Sequence, residues 1–211
     1  LEGYKNVPGV AIKVFYPVDG VSRVQKLQMM TQDGDNVDVC AIRGNFDDAQ
    51  SGVKRIFADS AMREELDRRG YFLSSANSIN WGRLVPQIVY YYVGYSKLAA
   101  SGVIKPGEMI DIAVPTGNFG NIFAAYLACR MGLPVRRLIC ASNSNNILTD
   151  FLSTGVYDRN RAFHTTMSPS MDILISSNLE RLIYLMTDAK TTASLMSRLS
   201  ETGKYEVPAG V

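Results

Sequence analysis

The stretch whose residue types could do chemistry is Gly117-Asn118-Phe119-Gly120-Asn121. Two glycines and two asparagines, the residues that best tolerate positive φ, stand between an apolar run and an apolar helical pattern. Such a turn can aim several backbone N–H groups at one point, where a helix N-terminus adds roughly half a positive charge. No carboxylate lies between Thr116 and Tyr126 to repel an anion. On these residues alone the turn is either a phosphate cradle or a strand-to-helix corner that binds nothing. A second polar cluster, Asn77, Ser78, Asn80 and Arg83, places short donors ahead of a guanidinium one turn into a helix. It is either an oxyanion site or a helix cap followed by an exposed arginine.

The elements that must position these residues follow from the apolar pattern. Met109 to Val114 is predicted as a buried strand stopped by Pro115, and a helix runs from Ile122 through Ala125, Leu127 and Met131. Earlier, Val10 to Tyr16 and Val37 to Ile42 are predicted strands. Between them a helix opens with a Ser22/Gln25 capping box and carries Val24, Leu27 and Met30 on its apolar face. A second helix starts at Gly44-Asn-Phe-Asp-Asp48 and runs through Val53, Ile56 and Phe57. This β-α-β-α order predicts an α/β fold with parallel sheets flanked by helices. The turns at Gly44 and Gly117 both begin Gly-Asn-Phe, but the first continues with Asp47 and Asp48, which would satisfy the helix dipole and repel phosphate. Only the later turn suits an anion.

Tyr71 to Leu73 is predicted as a short strand, followed after the polar cluster by a long helix to about Ala100. Its stripe of Leu84, Ile88, Tyr91, Tyr92, Tyr95 and Leu98 is predicted to pack. Val135 to Ala141 is another strand, ending in Ser142-Asn-Ser-Asn-Asn146. A dinucleotide site wants three spaced glycines and an acidic residue about 20 positions on, and a Walker loop wants a lysine after its last glycine. Neither is present. Gly155 to Pro169 is expected to be an irregular connection, a lid or an inter-domain crossing, with His164 in solvent. Ser177-Asn-Leu-Glu180 is predicted to cap a helix to about Met186, and a further helix spans Thr191 to Leu199.

The chain has 211 residues, 46% hydrophobic and 20% charged, with a net charge of +2. That fits one large or two small globular domains and gives no electrostatic reason to expect nucleic acid or a membrane as partner. No transmembrane run or signal peptide is evident. Cys40, Cys129 and Cys140 are too few and too scattered for a disulfide framework or a metal site, so they are expected to be buried thiols in a cytoplasmic protein. Leu1-Glu-Gly-Tyr-Lys5 has the look of a last helical turn, and Lys204 to Val211 of an unfinished end. The chain is therefore expected to be an internal piece of a longer one.

Three ordered segments carry a family resemblance: Ala76-Asn-Ser-Ile-Asn-Trp-Gly-Arg83, Val114-Pro-Thr-Gly-Asn-Phe-Gly-Asn121 and Met131-Gly-Leu-Pro-Val-Arg-Arg-Leu-Ile-Cys-Ala-Ser-Asn143. They closely resemble threonine synthase of the bacterial and fungal branch, among pyridoxal 5'-phosphate (PLP) enzymes of the tryptophan-synthase-β type, fold type II. Gly20 to Met29 and Gly44 to Gln50 resemble it too, so the likeness covers essentially the whole chain. What it implies is conversion of O-phosphohomoserine and water to threonine and phosphate, with the PLP ring as electron sink. By the same resemblance Gly117, Asn118, Phe119, Gly120 and Asn121 hold the PLP phosphate, and Asn77, Ser78 and Arg83 the substrate phosphate. Residues 1–75 would belong to a smaller mobile α/β domain and 76–211 to a larger PLP-binding one, both incomplete. The Schiff-base lysine is expected upstream of Leu1, because Lys97, Lys105 and Lys190 lack its Phe-Lys-Asp-like context. The chain alone is then expected not to turn over. The rival readings are another fold-type II lyase, a dehydratase or amino-acid phospholyase, and a non-catalytic α/β ligand-binding domain.

Overall fold

The computed structural model describes residues 2–19, 23–44, 46–73, 78, 80–168 and 171–210. The Ser22 end of the expected capping box, Asn45 and Asn77 lie outside them. The chain divides into two compact units, Leu1–Leu73 and Ser74–Val211.

In the first unit β1 (Ile12–Pro17), α1 (Arg23–Met30), β2 (Val37–Ile42), α2 (Phe46–Ala58) and α3 (Ser60–Arg68) follow one another. β1 and β2 pair in parallel with Val14 opposite Val39, as the crossover order requires. Asn36 fastens the approach to β1, its Nδ2 donating to the carbonyls of Tyr4 and Val10 while its Oδ1 accepts from the Asn6 amide. Burial departs from expectation. Val24, Leu27 and Met30, the predicted packing face of α1, are 64%, 52% and 62% exposed. A two-stranded sheet offers too little apolar surface to cover its helices. α2 ends just past Phe57, as expected, and Asp59, whose carboxylate accepts from the Met62 amide, starts α3. Tyr71 to Leu73 form no strand. The Tyr71 amide instead closes the end of α3 on the Leu66 carbonyl, and among the described residues no strand pairs with this segment.

The second unit runs α4 (Trp81–Leu84), a 3-10 turn (Val85–Gln87), α5 (Ile88–Ala100), β3 (Ile110–Pro115), α6 (Gly120–Arg130), β4 (Val135–Ala141), α7 (Ile147–Thr154), β5 (Val156–Asp158), α8 (Leu179–Met186), α9 (Ala189–Thr202) and β6 (Lys204–Glu206). β3 and β4 are parallel, Val114 opposite Cys140, with the register shifting between Ile110 and Asp111. The predicted long helix is interrupted at Pro86, which has no N–H for the helical ladder. α6 is buried along most of its length, at Ile122, Phe123, Ala124, Ala125 and Ala128. Its alanines let neighbouring elements come close, and Leu84, Ile88, Tyr91, Tyr92 and Tyr95 of the expected stripe pack into the same core, whereas Leu98 is 38% exposed.

Two segments left irregular by the apolar pattern are strands. β5 and β6 pair antiparallel, with Tyr157 opposite Tyr205. The two rings stack at 5.2 Å and Phe151 meets both edge-on. The remainder of the 155–168 connection is no free lid. Asn145, 4% exposed, donates to the His164 carbonyl and accepts from the His164 amide. The Asp172 carboxylate takes hydrogen bonds from Thr166, Asn143 and Asn145. Among the described residues no helix is long and apolar enough to cross a membrane.

Candidate anion-binding site

The end of β3 sets the entry to the glycine turn. The Thr116 amide donates to the Ala141 carbonyl, and its buried hydroxyl folds back 2.7 Å onto the Val114 carbonyl. Burial pushes the neighbouring Cys140 thiol up, only partly opposed by its hydrogen bond with Thr116. The positive φ of the turn falls on neither glycine. Phe119 carries it, at 62°, as the residue capping α6. A left-handed non-glycine residue costs roughly 1–2 kcal/mol. Here a ring that is 5% exposed, packed in the core, offsets it.

The turn is braced from behind through its oxygens. The buried Ser176 hydroxyl donates to the Gly117 carbonyl at 2.8 Å. Asn178, fully buried, donates to the Asn118 carbonyl through Nδ2 at 2.9 Å and through its main-chain amide at 3.1 Å. The Phe119 carbonyl accepts from the Phe123 amide inside α6. Tyr91 donates to Asn121, with its hydroxyl 2.6 Å from Oδ1 and 3.0 Å from the carbonyl. Ser176 is itself held, since its amide donates to the Tyr157 hydroxyl, which donates on to the Leu174 carbonyl. Among the described residues, none accepts a hydrogen bond from the N–H groups of Gly117 to Asn121. A turn at the start of a helix, with the carbonyls of Gly117, Asn118, Phe119 and Asn121 held and its amides without an acceptor among the described residues, is suited to anionic oxygens.

Gly120 shows why the second glycine is needed. A Cβ there would lie 2.5 Å from the Ser78 Oγ and 2.7 Å from the Ser78 Cβ. Ser78 therefore sits directly over the start of α6, where Asn178 Nδ2 also donates to its hydroxyl at 3.0 Å. In the other Gly-Asn-Phe sequence the Asp48 side chain lies beside Gly44. A Cβ on Gly44, whose φ is 126°, would meet the Asp48 carboxylate at 2.7 Å.

Asn80 caps α4, its Oδ1 accepting from the Gly82 amide. Arg83 is exposed, and among the described residues it has no carboxylate partner. Asn121 Nδ2 donates to Gln87 Oε1 at 3.1 Å, and Gln87 Nε2 donates to the Arg83 carbonyl at 3.0 Å. The turn and the arginine thus stand one side chain apart. Arg83 and Gln87 line one surface hollow with Gly82, Pro86 and Tyr90. Hydrogen bonds thus link the described candidates: Ser78 to the turn through Asn178, and the Arg83 main chain to the turn through Gln87.

Ser176, Asn178, Tyr91 and Gln87 were missed by sequence reasoning. Ser177 does not cap α8. Asn178 takes that position, yet its side chain serves Ser78 and Asn118, and its Oδ1 accepts from Arg181 Nε. The Arg181 guanidinium lies 5.7 Å from the centre of the Trp81 ring. The one available signal was a polar Ser176-Ser-Asn178 step straight after the apolar Ile173-Leu-Ile175.

No protein-family model matches the chain. It is 46% identical over 202 residues to human threonine synthase-like 1, covering 94% of this chain and 27% of that protein. It is 44% identical over 209 residues to threonine synthase from Pseudomonas aeruginosa, covering 98% of this chain and 42% of the relative. The crystal structure of threonine synthase from yeast superposes with a TM-score of 0.81 at 33% identity, over 99% of this chain and 41% of that one. PLP-bound threonine synthase from Brucella melitensis does so with a TM-score of 0.72 at 35% identity, over 95% and 47%. The chain thus spans less than half the length of the proteins it matches. Over nearly all of its own length it is a homologue of the threonine synthases and shares their α/β fold.

Proposed function

We propose that this chain supplies the phosphate-binding part of a PLP-dependent threonine synthase, which turns O-phosphohomoserine and water into threonine and phosphate. The observation that carries this is the bracing of the glycine turn: its carbonyls are held from behind and its amides are left for an anion, one side chain away from Arg83. The residues present fit the cofactor's phosphate. Main-chain amides at a helix start suit a dianion that stays bound, and the missing Cβ of Gly120 leaves room beside Ser78.

In this reading Gly117, Asn118, Phe119, Gly120 and Asn121 hold the PLP phosphate. The Asn121 side chain contributes mainly by fixing the turn, since Tyr91 and Gln87 already engage it. Arg83, with Ser78 and Asn77, takes the phosphate of the substrate. A full positive charge there stabilises the anion as its bond to carbon breaks, a gain that amides alone would not match. When bound, PLP supplies the electron sink that makes protons next to the reacting carbons removable. No residue of this chain is assigned as the lysine that carries the cofactor.

The test is ligand binding by calorimetry. O-phosphohomoserine should bind while homoserine does not, and PLP should bind about tenfold or more tighter than pyridoxal, which lacks the phosphate. Arg83→Ala should weaken O-phosphohomoserine by about tenfold or more and PLP hardly at all. A chain that binds neither phosphate ester, or whose O-phosphohomoserine affinity ignores Arg83, overturns the reading.

A further inference from the structure

Pro86 interrupts the helical ladder between α4 and α5, and at this point the Gln87 side chain turns back along the helix. Its Nε2 donates 3.0 Å to the main-chain carbonyl of Arg83, four residues earlier, while its Oε1 accepts 3.1 Å from Asn121 Nδ2 on the glycine turn. One amide group therefore bonds to both candidate anion stations, and a carbonyl that accepts strengthens the N–H it is conjugated to. Tyr91, one turn further along, holds Asn121 by two hydrogen bonds of its own. The turn consequently has a second anchor, whereas the Gln87 bond to the Arg83 carbonyl is the one side-chain bond recorded on Arg83 among the described residues.

We propose that Gln87 is a positioning residue: it holds Arg83 in register with the Gly117–Asn121 turn, so that a substrate phosphate on Arg83 stands at a fixed distance from a cofactor phosphate on the turn. The inference rests on the function proposed above. It makes an asymmetric prediction, because removing Gln87 takes from Arg83 its one side-chain bond among the described residues, leaving the main-chain bond to Asn80, while Tyr91 keeps Asn121 in place.

The experiment is a double-mutant cycle on this chain, using O-phosphohomoserine and PLP as separate probes. Gln87→Leu should weaken O-phosphohomoserine by about tenfold, the upper range for losing one hydrogen bond, and change PLP affinity by no more than about twofold. In the Arg83→Ala background Gln87→Leu should have no further effect on O-phosphohomoserine, since its role runs through Arg83. Gln87→Met, unbranched and of similar length, should repeat both results and carries the test if the leucine variant does not fold. A cost that is equal with and without Arg83, or a parallel loss of both ligands together with a lower Tm, makes Gln87 a merely structural residue and overturns the proposal. Unchanged O-phosphohomoserine affinity in both variants overturns it too while leaving the function intact. A parent chain that binds neither ligand fails at the functional reading itself.

Discussion

Ser78 lies so close to Gly120 that a single carbon added to the glycine would fall 2.5 Å from the serine hydroxyl. Gly120 is the first residue of α6 and lacks a positive φ, so alanine there meets no backbone strain and has good helix propensity. The obstacle is steric only. Ser78 cannot rotate away, because its Cβ would also be 2.7 Å from the new atom. Gly120→Ala should therefore push the Ser78 segment off the helix start, at a cost of roughly 1–3 kcal/mol for overpacking. Phosphate binding should fall by about tenfold as the amide contacts, each worth roughly 0.5–1.5 kcal/mol, lose their geometry. Calorimetry with PLP measures the affinity, and thermal unfolding the cost. Unaltered PLP affinity would mean that the anion does not sit at the start of α6.

Asn178 is the neighbour that holds Ser78 and the turn together, and it is fully buried. Asn178→Leu keeps the volume and removes every side-chain hydrogen bond, leaving the Asn118 carbonyl with the Asn178 main-chain amide as its donor. The expected loss is about 1–3 kcal/mol of stability, several degrees of Tm. Asn178→Asp separates packing from charge. It puts carboxylate oxygens against the Asn118 carbonyl and adds negative charge behind an anion site. PLP affinity in the aspartate variant should therefore fall below that of the leucine variant. The reverse order would show that the residue acts by packing alone.

The order of elements was legible because apolar runs ended at punctuating residues. Pro17 and Pro115 close β1 and β3, and the crossover pattern implied parallel pairing. Tyr71 to Leu73 were misread for want of a partner strand, which a run of three apolar residues cannot reveal. The strand pair β5–β6 was missed for a related reason: Tyr157 and Tyr205 pair across an intervening pair of helices, and neither segment alternates long enough to declare itself. At the site, Gly117 to Asn121 and Arg83 stood out by type and spacing. Ser176 and Asn178 did not, because the carbonyls they hold lie 59 and 60 positions away in sequence. Local pattern also pointed to the glycines and asparagines for positive φ, whereas Phe119 carries it and its buried ring outweighs its backbone preference.

Acid should loosen the segment around Thr166 before the rest of its unit. Burial pushes the Asp172 carboxyl up, but hydrogen bonds from the Thr166 amide and hydroxyl and from Asn143 and Asn145 more than offset this and hold it below its ordinary value. A lowered folded value means the carboxylate contributes stability that is full above the unfolded value of about 3.9 and is lost as pH falls through the folded one. The protection factor of the Thr166 amide against hydrogen exchange, taken relative to the intrinsic rate at each pH, should fall across that acid range. In Asp172→Asn it should already be lower at neutral pH and change little further on acidification. If exchange at Thr166 in the parent chain tracks only global unfolding, the carboxylate is not what pins the connection.

At the alkaline end the group to watch is Tyr91, whose hydroxyl burial pushes up to about 12. The neutral hydroxyl is the form that donates to Asn121, so ionisation would put a phenolate against the Asn121 Oδ1 and carbonyl. The folded value lies above the unfolded one of about 10. Stability from Tyr91 is thus fully present below pH 10 and is lost as pH rises from there through about 12. Tyr157 is pushed up to about 12 as well, and burial raises Tyr205 too, so alkaline unfolding of the parent chain sums all three contributions. Tyr91→Phe separates them. At neutral pH it should lose about 1 kcal/mol with its hydrogen bonds and weaken PLP by a few-fold, as Asn121 loosens. Between pH 10 and 12 its stability should then decline less steeply than the parent's, with one fewer late-titrating phenol in the absorbance near 295 nm. An identical alkaline slope in the two proteins would show that the Tyr91 hydroxyl is already open to water and does not hold the turn.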